Sequence, residues 1–292
     1  MARSPGVRRT GIIALALLVV GVVACAGPTS DSDTSPEPSG APPGGKVVEV
    51  EYAPGLTEEL YLPARQGRVP LVVMVPGGGW ATADPTGFGG LASDLAARGV
   101  AAAPTHIRSA EDEVVYPTPV EDILCATAAA VAELRARGRV ARPVAVLGHS
   151  SGAQLAALAV LAPGDFSPTC DAPSVETEAL VGLSGPYDIS QVPDLAATLI
   201  GSTPDEDAAT WEAANPVLRA AERPEVPVLL LHGDADAVMP VSFTTQFAEA
   251  LKDEGHPTTV DIVDGADHDT IYTAANAGER VAQWLAGLTA AP

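Results

Sequence analysis

The chain has 292 residues, enough for one domain with a sizeable buried core. Its formal net charge is −21, and three of its 16 basic residues (Arg3, Arg8 and Arg9) sit at the very start. Such a surface repels nucleic acid and anionic lipid headgroups, which excludes both as partners and disfavours strongly anionic substrates.

The three arginines precede an uncharged run, residues 11–24. That run is shorter than the roughly 20 apolar residues a membrane-spanning helix needs, and it has the length of a secretory h-region. Residues 1–24 therefore read as an export signal. The run ends Val22-Val23-Ala24-Cys25, which resembles a bacterial lipobox. The resemblance implies that Cys25 becomes the lipidated first residue, so that a membrane is a partner through this anchor, at the outer face of the bacterial cell. An ordinary secretory signal and a secreted protein form the alternative. Residues 25–45 are almost entirely Pro, Ser, Gly, Asp, Thr, Ala and Glu, too polar to offset the entropy of ordering, and read as a flexible tether. Residues 46–292 remain for the folded domain. With Cys25 lipidated, Cys125 and Cys170 are left as a pair; in an exported chain they form a disulfide or stay as two buried thiols.

Along the domain, residues 46–51 and 58–62 read as two early strands, and residues 69–75 as a strong β run closed by Pro76. A helix over 91–98 stops at Gly99, a short strand follows over 100–103, and a long alanine-rich helix over 120–137 ends at Gly138. Residues 143–147 form an apolar strand and 153–161 a run of helix formers. Further strands are expected at 179–183, 226–231 and 258–263, with helices at 242–254 and 271–288. Residues 184–225 form a long connection with a short helical piece at 208–214, a possible small cap over a pocket. Strand–helix alternation from Val69 onward predicts an α/β fold: a mostly parallel twisted sheet with helices on both faces, preceded by antiparallel strands. Ligands of such sheets bind beyond the carboxyl ends of the strands, so the chemistry belongs in the loops that follow strands.

Between the strand at 143–147 and the helix at 153–161 stands Gly148-His149-Ser150-Ser151-Gly152. Gly-x-Ser-x-Gly at a strand-to-helix junction is a nucleophile elbow, a tight turn that presents the serine above the sheet. Ser150 is thus the candidate nucleophile, and it needs a base and an orienting acid. Five histidines compete. His149 adjoins the serine, and its ring is expected to turn away from the hydroxyl. His256 precedes a late strand, at the wrong end of the sheet. His232 ends a strand and reads as scaffold. His106 follows a strand and is placed as a possible pocket residue. His268 lies in Asp264-Gly265-Ala266-Asp267-His268-Asp269, after the last strand and before the last helix, and is the expected base. A metal site built from these acidic, histidine-bearing loops would leave the elbow unexplained, so neither a metal nor another cofactor is expected.

The order serine, aspartate, histidine, together with these loops, resembles the α/β-hydrolase superfamily. In that superfamily the loop after the penultimate core strand often reads His-Gly-x-x-Asp-x-x-Val-Pro. On His232-Gly233-Asp234-Ala235-Asp236 the resemblance assigns the triad acid to Asp236, with Asp234 as a loop-stabilising neighbour. Pro76-Gly77-Gly78-Gly79-Trp80 resembles the His-Gly-Gly-Gly-Trp motif of hormone-sensitive-lipase-like and feruloyl-esterase-like carboxylesterases. It implies an oxyanion hole made by the N–H groups of Gly78, Gly79 and Ser151. Proline replaces the motif's histidine, so the loop must be supported differently. Trp80 is placed as a possible pocket wall, and Asp188, in a further segment common to the group, as a loop anchor. The resemblance implies a serine esterase (EC 3.1.1) acting on small acyl esters through an acyl-enzyme. An amidase or exopeptidase of the same fold, or a non-catalytic binding lipoprotein, are the alternatives; oligomeric state is not legible.

Overall fold

The computed structural model describes residues 45–290. The export signal at 1–24, Cys25 and all but the last residue of the 25–45 tether lie outside the described residues. Eight strands form one sheet: β1 (Val47–Ala53), β2 (Leu56–Tyr61), β3 (Gly67–Val75), β4 (Ala101–Pro104), β5 (Arg139–His149), β6 (Ala179–Leu183), β7 (Val228–Gly233) and β8 (Thr258–Val263). Their spatial order is β1-β2-β4-β3-β5-β6-β7-β8. The β1–β2 and β2–β4 pairs are antiparallel, and every pair from β4 to β8 is parallel.

The central strands are apolar on both faces because both are covered. On one face α1 (Gly89–Ala97) and α7 (Glu279–Ala290) pack Leu91, Leu95, Val281 and Leu285 against Met74, Leu147 and Leu231. On the other, α2 (Thr118–Ala136), α3 (Ser151–Leu161) and α6 (Val241–Asp253) meet Val146, Leu180 and Leu230. Every residue of α3 is buried, as expected of a helix apolar all round. The 184–225 connection holds α4 (Pro193–Ile200) and α5 (Ala208–Ala213). The second was expected. The first was not, although Pro193 at its start and Gly201 beyond its end (φ 78°) are ordinary helix punctuation. The closing helix begins at Glu279 rather than at residue 271. Ile271 is drawn into the core and Tyr272 into a cleft, and a π-helical turn at Ala274–Gly278 intervenes.

The parallel register decides where the functional loops start. Val75 pairs with Gly148, His149 with Leu183, and Gly233 with Val263. The segments after β3, β5, β7 and β8 therefore leave from one edge. Cys125 on α2 is disulfide-bonded to Cys170, the first of the two sequence alternatives. Closing a loop of 45 residues removes chain entropy worth about 4 kcal/mol from the unfolded state.

One buried carboxyl stands apart from the site. Glu58 Oε2 on β2 lies in hydrogen-bond contact with the Thr105 hydroxyl at 3.1 Å, Thr105 itself donating to Ala103 O at 2.9 Å, while Oε1 is buried without a partner among the described residues. Burial pushes its pKa well above the ordinary carboxylate value, so the folded protein keeps it neutral. The unfolded chain ionises once the pH passes the ordinary value, and the side chain's contribution to stability is lost progressively as pH rises from there. Glu58→Gln should therefore match the wild type in thermal unfolding near pH 4 and exceed its Tm by several degrees at pH 8; equal midpoints at both pH values would count against this.

Candidate active site

Three loops meet at the carboxyl edge. At the first, Ser150 sits between β5 and α3 with φ 53° and ψ −126°, a conformation that costs a non-glycine residue on the order of 1–3 kcal/mol. Close packing enforces it. A Cβ at Gly148 would strike the carbonyl of Gly152, and one at Gly152 would strike the carbonyls of Val75 and Pro76. The Ser150 N–H donates to Leu183 O at 2.9 Å, which fixes the turn to β6.

The His268 ring completes a chain of hydrogen bonds. The Ser150 hydroxyl donates to His268 Nε2 at 3.0 Å, and His268 Nδ1–H donates to Asp236 Oδ2 at 2.8 Å. The second oxygen of Asp236 accepts from the N–H groups of Val238 (2.9 Å) and Met239 (2.7 Å). Its side chain is wholly buried. Burial opposes ionisation, but the Met239 N–H and His268 outweigh it and hold the carboxyl below its ordinary range. The three side chains expected to meet do meet, from positions 150, 236 and 268.

The other members of the acidic, histidine-bearing loops hold the scaffold. His232, fully buried, donates from Nε2 to Met239 O at 2.9 Å and accepts the Thr244 hydroxyl on Nδ1 at 2.7 Å, which anchors the loop bearing Asp236. Burial lowers its pKa and keeps it neutral. Asp234 accepts from Gly265 N–H at 2.7 Å and ties the aspartate loop to the histidine loop. Asp267 caps Thr270. Asp188 accepts from Ser190, Gln191 and Asn215, the loop anchor expected. His256 lies against the carbonyls of Val226 and Ala220, away from the serine. Among the described residues no group of three or more metal-ligating side chains converges.

After β3 the glycine loop turns with φ 142° at Gly78 and 61° at Gly79. Gly78 O accepts from Ala81 and Thr82, closing the turn. The N–H groups of Gly78 and Gly79 take no partner among the described residues, and Ser151 N–H, at the first turn of α3, is free by helix geometry. Three donors are thus left unspent beside Ser150. Support for the loop, where a motif histidine is missing, comes from below: Trp80 Nε1–H donates to Gln154 Oε1 at 2.9 Å, and Gln154 passes a bond to Ala214 O at 2.7 Å. Trp80 is consequently buried in the core and does not wall the pocket, contrary to expectation. Its own positive φ of 61° turns the side chain under the loop instead of over it.

The cleft in front of Ser150 has a volume of about 370 Å³. Phe88, Met239 and Tyr272 line it, Leu195 and Val238 stand 45% and 66% exposed at its mouth, and Asp84 and Asp269 are its carboxylates. Leu195 comes from α4, so the 184–225 connection does reach the cleft. Its Cδ1 lies 3.5 Å from where a Gly79 Cβ would stand. Trp211 does not reach it; the ring packs in the core and its N–H donates to Ser202 O. His106 is not in this cleft either. It lines a neighbouring cavity of about 460 Å³ with Tyr61 and Glu111, which meets the cleft only at Asp84. The chain turns there because His106 N–H donates to Thr57 O and its carbonyl accepts the Tyr52 hydroxyl, so the residue belongs to the β2 side. His149 lines the cleft and contacts His268, a role that its place beside Ser150 did not reveal.

Known proteins resemble this chain in sequence and in fold. Esterase LipC of Mycobacterium tuberculosis (strain ATCC 25618 / H37Rv) is 30% identical over 196 residues, covering 63% of this chain and 48% of that protein. A probable carboxylic ester hydrolase, LipM, from the same organism is 27% identical, over 64% of this chain and 46% of its own length. The chain thus spans about half the length of these curated relatives. Among solved structures, esterase Est2 of Thermogutta terrifontis superposes with a TM-score of 0.66 at 22% identity, over 85% of this chain and 93% of that one. A truncated carbohydrate esterase from gut microbiota gives 0.68 at 18% identity, over 80% and 91%. The fold is that of the α/β-hydrolases, as the elbow and strand pattern led us to expect. The BD-FAE family model matches residues 59–251, from β2 through the elbow and the aspartate loop into α6, and the chain belongs to that family.

Proposed function

We propose that this protein is an exported serine carboxylesterase that cleaves small acyl esters through an acyl-enzyme. The observation that carries the reading is the unbroken chain of hydrogen bonds from the Ser150 hydroxyl through His268 to Asp236, in a cleft that Gly78 and Gly79 also line; the N–H groups of Gly78, Gly79 and Ser151 take no partner among the described residues. The esterase names of the curated relatives support it, as does the phosphonylation of Thermogutta terrifontis esterase 2 by sarin.

In this reading Ser150 Oγ attacks the acyl carbon while its proton passes to His268 Nε2. Asp236, held ionised by the N–H groups around it, balances the imidazolium and fixes the ring so that Nε2 faces the serine. The N–H groups of Gly78, Gly79 and Ser151 hold the oxyanion, each worth roughly 3 kcal/mol of barrier. Collapse of the tetrahedral species breaks the ester C–O bond. The leaving alkoxide takes the proton from His268, and the acyl group stays on Ser150. Water then gives a proton to His268 Nε2 and attacks the acyl carbon; collapse breaks the acyl–Oγ bond, Ser150 Oγ takes the proton back from His268, and the acid leaves. No external oxidant, reductant or metal enters this balance.

Export and lipidation on Cys25 belong to the same proposal. They are supported by the basic start, the uncharged run and the Ala-Cys junction, and by the Cys125–Cys170 bond, of a kind that persists in oxidising compartments.

Hydrolysis of p-nitrophenyl acetate tests the chemistry. Ser150→Ala or His268→Ala should lower kcat by at least about 10³-fold with Tm little changed, and Asp236→Asn by about 10⁴-fold; wild-type turnover in folded Ser150→Ala would refute the assignment. A series of nitrophenyl esters of rising chain length tests the cleft. Leu195→Ala should raise kcat/KM for octanoate relative to acetate several-fold, at roughly 0.8 kcal/mol for each methylene newly accommodated; an unchanged ratio would remove Leu195 from the substrate's path.

A further inference from the structure

The loop that carries His268 leaves β8 and forms neither strand nor helix before the π-helical turn. Its ends are secured: Ala235 N–H donates to Ala266 O, Gly265 N–H to Asp234, and Ile271 N–H to Asp267 O. The peptide of His268 itself has a single hydrogen bond among the described residues, and that bond comes from a side chain. His149 Nε2 lies 2.8 Å from His268 O. A carbonyl only accepts, so Nε2 carries the proton and Nδ1 is the bare nitrogen.

The His149 ring is 7% exposed and fills the space between the loops. Its centroid is 4.8 Å from that of His268 and 4.6 Å from that of Tyr272. On its other side Nδ1 would stand 3.1 Å from a Cβ at Gly77, so the ring also abuts the start of the glycine loop. One side chain thus touches the elbow by covalent bond, the glycine loop by packing and the histidine loop by hydrogen bond. Burial lowers its pKa to about 4, with the neighbouring His268 acting in the same direction. The imidazole is therefore neutral wherever His268 must take up a proton, and it places no like charge beside the imidazolium.

We infer that His149 is a positioning residue for the triad: its Nε2–H bond to the His268 carbonyl sets the distance between the base and Ser150. This rests on the reading of Ser150, His268 and Asp236 as a triad. The Ser150–His268 bond of 3.0 Å joins two separate loops, and displacement of a reacting group by about 1 Å can cost some 100-fold in rate. Loss of the tie should therefore act mainly on kcat, with the smaller effect on KM for a small ester.

Two amide substitutions separate this role from general packing. The Nε2 amide of glutamine reaches the place of the imidazole Nε2 and can donate to His268 O; the amide of asparagine reaches only the place of Nδ1 and cannot. His149→Gln should keep kcat for p-nitrophenyl acetate within a few-fold of the wild type. His149→Asn should lose about 10- to 100-fold with KM within about twofold. Thermal unfolding of both shows whether they are folded, and His149→Phe adds a variant that fills the volume without a donor and should behave like His149→Asn. Equal kcat values in folded Gln and Asn variants, or wild-type kcat in His149→Phe, would overturn the inference and leave the triad standing. A wild-type protein that neither hydrolyses the ester nor reacts with a fluorophosphonate would instead sink the triad reading.

Discussion

The site depends on one strained turn. Ser150 is held at φ 53° because β5 passes into α3 without an intervening loop, and because Gly148 and Gly152 let the helix start lie against the ends of β5 and β3. That turn lifts the hydroxyl above the edge of the sheet and leaves Ser151 N–H unspent beside it. A bulkier residue at Gly152 would push α3 from Val75 and Pro76, where the glycine loop begins, and one at Gly148 would push the start of α3 from β5. The proposed nucleophile and the proposed oxyanion donors are therefore set by neighbouring contacts, and the buried α3 and its surrounding core supply the stability that offsets the strain.

Around this turn the other loops are braced by side chains whose own chemistry is not used. His232 and Asp234 fix the aspartate loop, Trp80 and Gln154 support the glycine loop, and His149 reaches the histidine loop. Each is buried or bonded to backbone, and none needs to change protonation during the reaction. In the reaction we propose, such a frame would have the hydrogen bonds of Ser150, His268 and Asp236 in place before substrate arrives, leaving little reorganisation for the transition state. The glycine loop shows how an altered motif is accommodated. With proline at position 76 there is no histidine to steady the loop, and the Trp80–Gln154–Ala214 bonds hold it from the side of α3.

Much of this was legible in the sequence, for physical reasons. Strands covered on both faces are continuous apolar runs, so β3, β5, β6 and β7 stood out. A parallel sheet places its post-strand loops at one edge, which favoured the loop of His268, while Asp236 was marked by the resemblance of its loop to that of the superfamily. What failed to show was orientation. Trp80 and His106 both lie near the cleft in sequence terms, yet a positive φ turns one into the core and hydrogen bonds to Thr57 and Tyr52 carry the other into the next cavity. The contact of His149 joins residues 119 apart in the chain and depends on how two loops end up facing each other. The late start of α7 has the same origin: tertiary packing of Ile271 and Tyr272 overrides a helix-forming stretch.

Covalent trapping of the nucleophile tests the central claim most directly. The full-length protein, treated with a fluorophosphonate, digested and sequenced by tandem mass spectrometry, should carry one adduct, on Ser150. The neighbouring Ser151 and Ser184 should be unmodified, and the folded His268→Ala protein should react far more slowly. An adduct on another residue, or a wild-type protein that stays unmodified under conditions that label a known serine esterase to completion, would contradict the account.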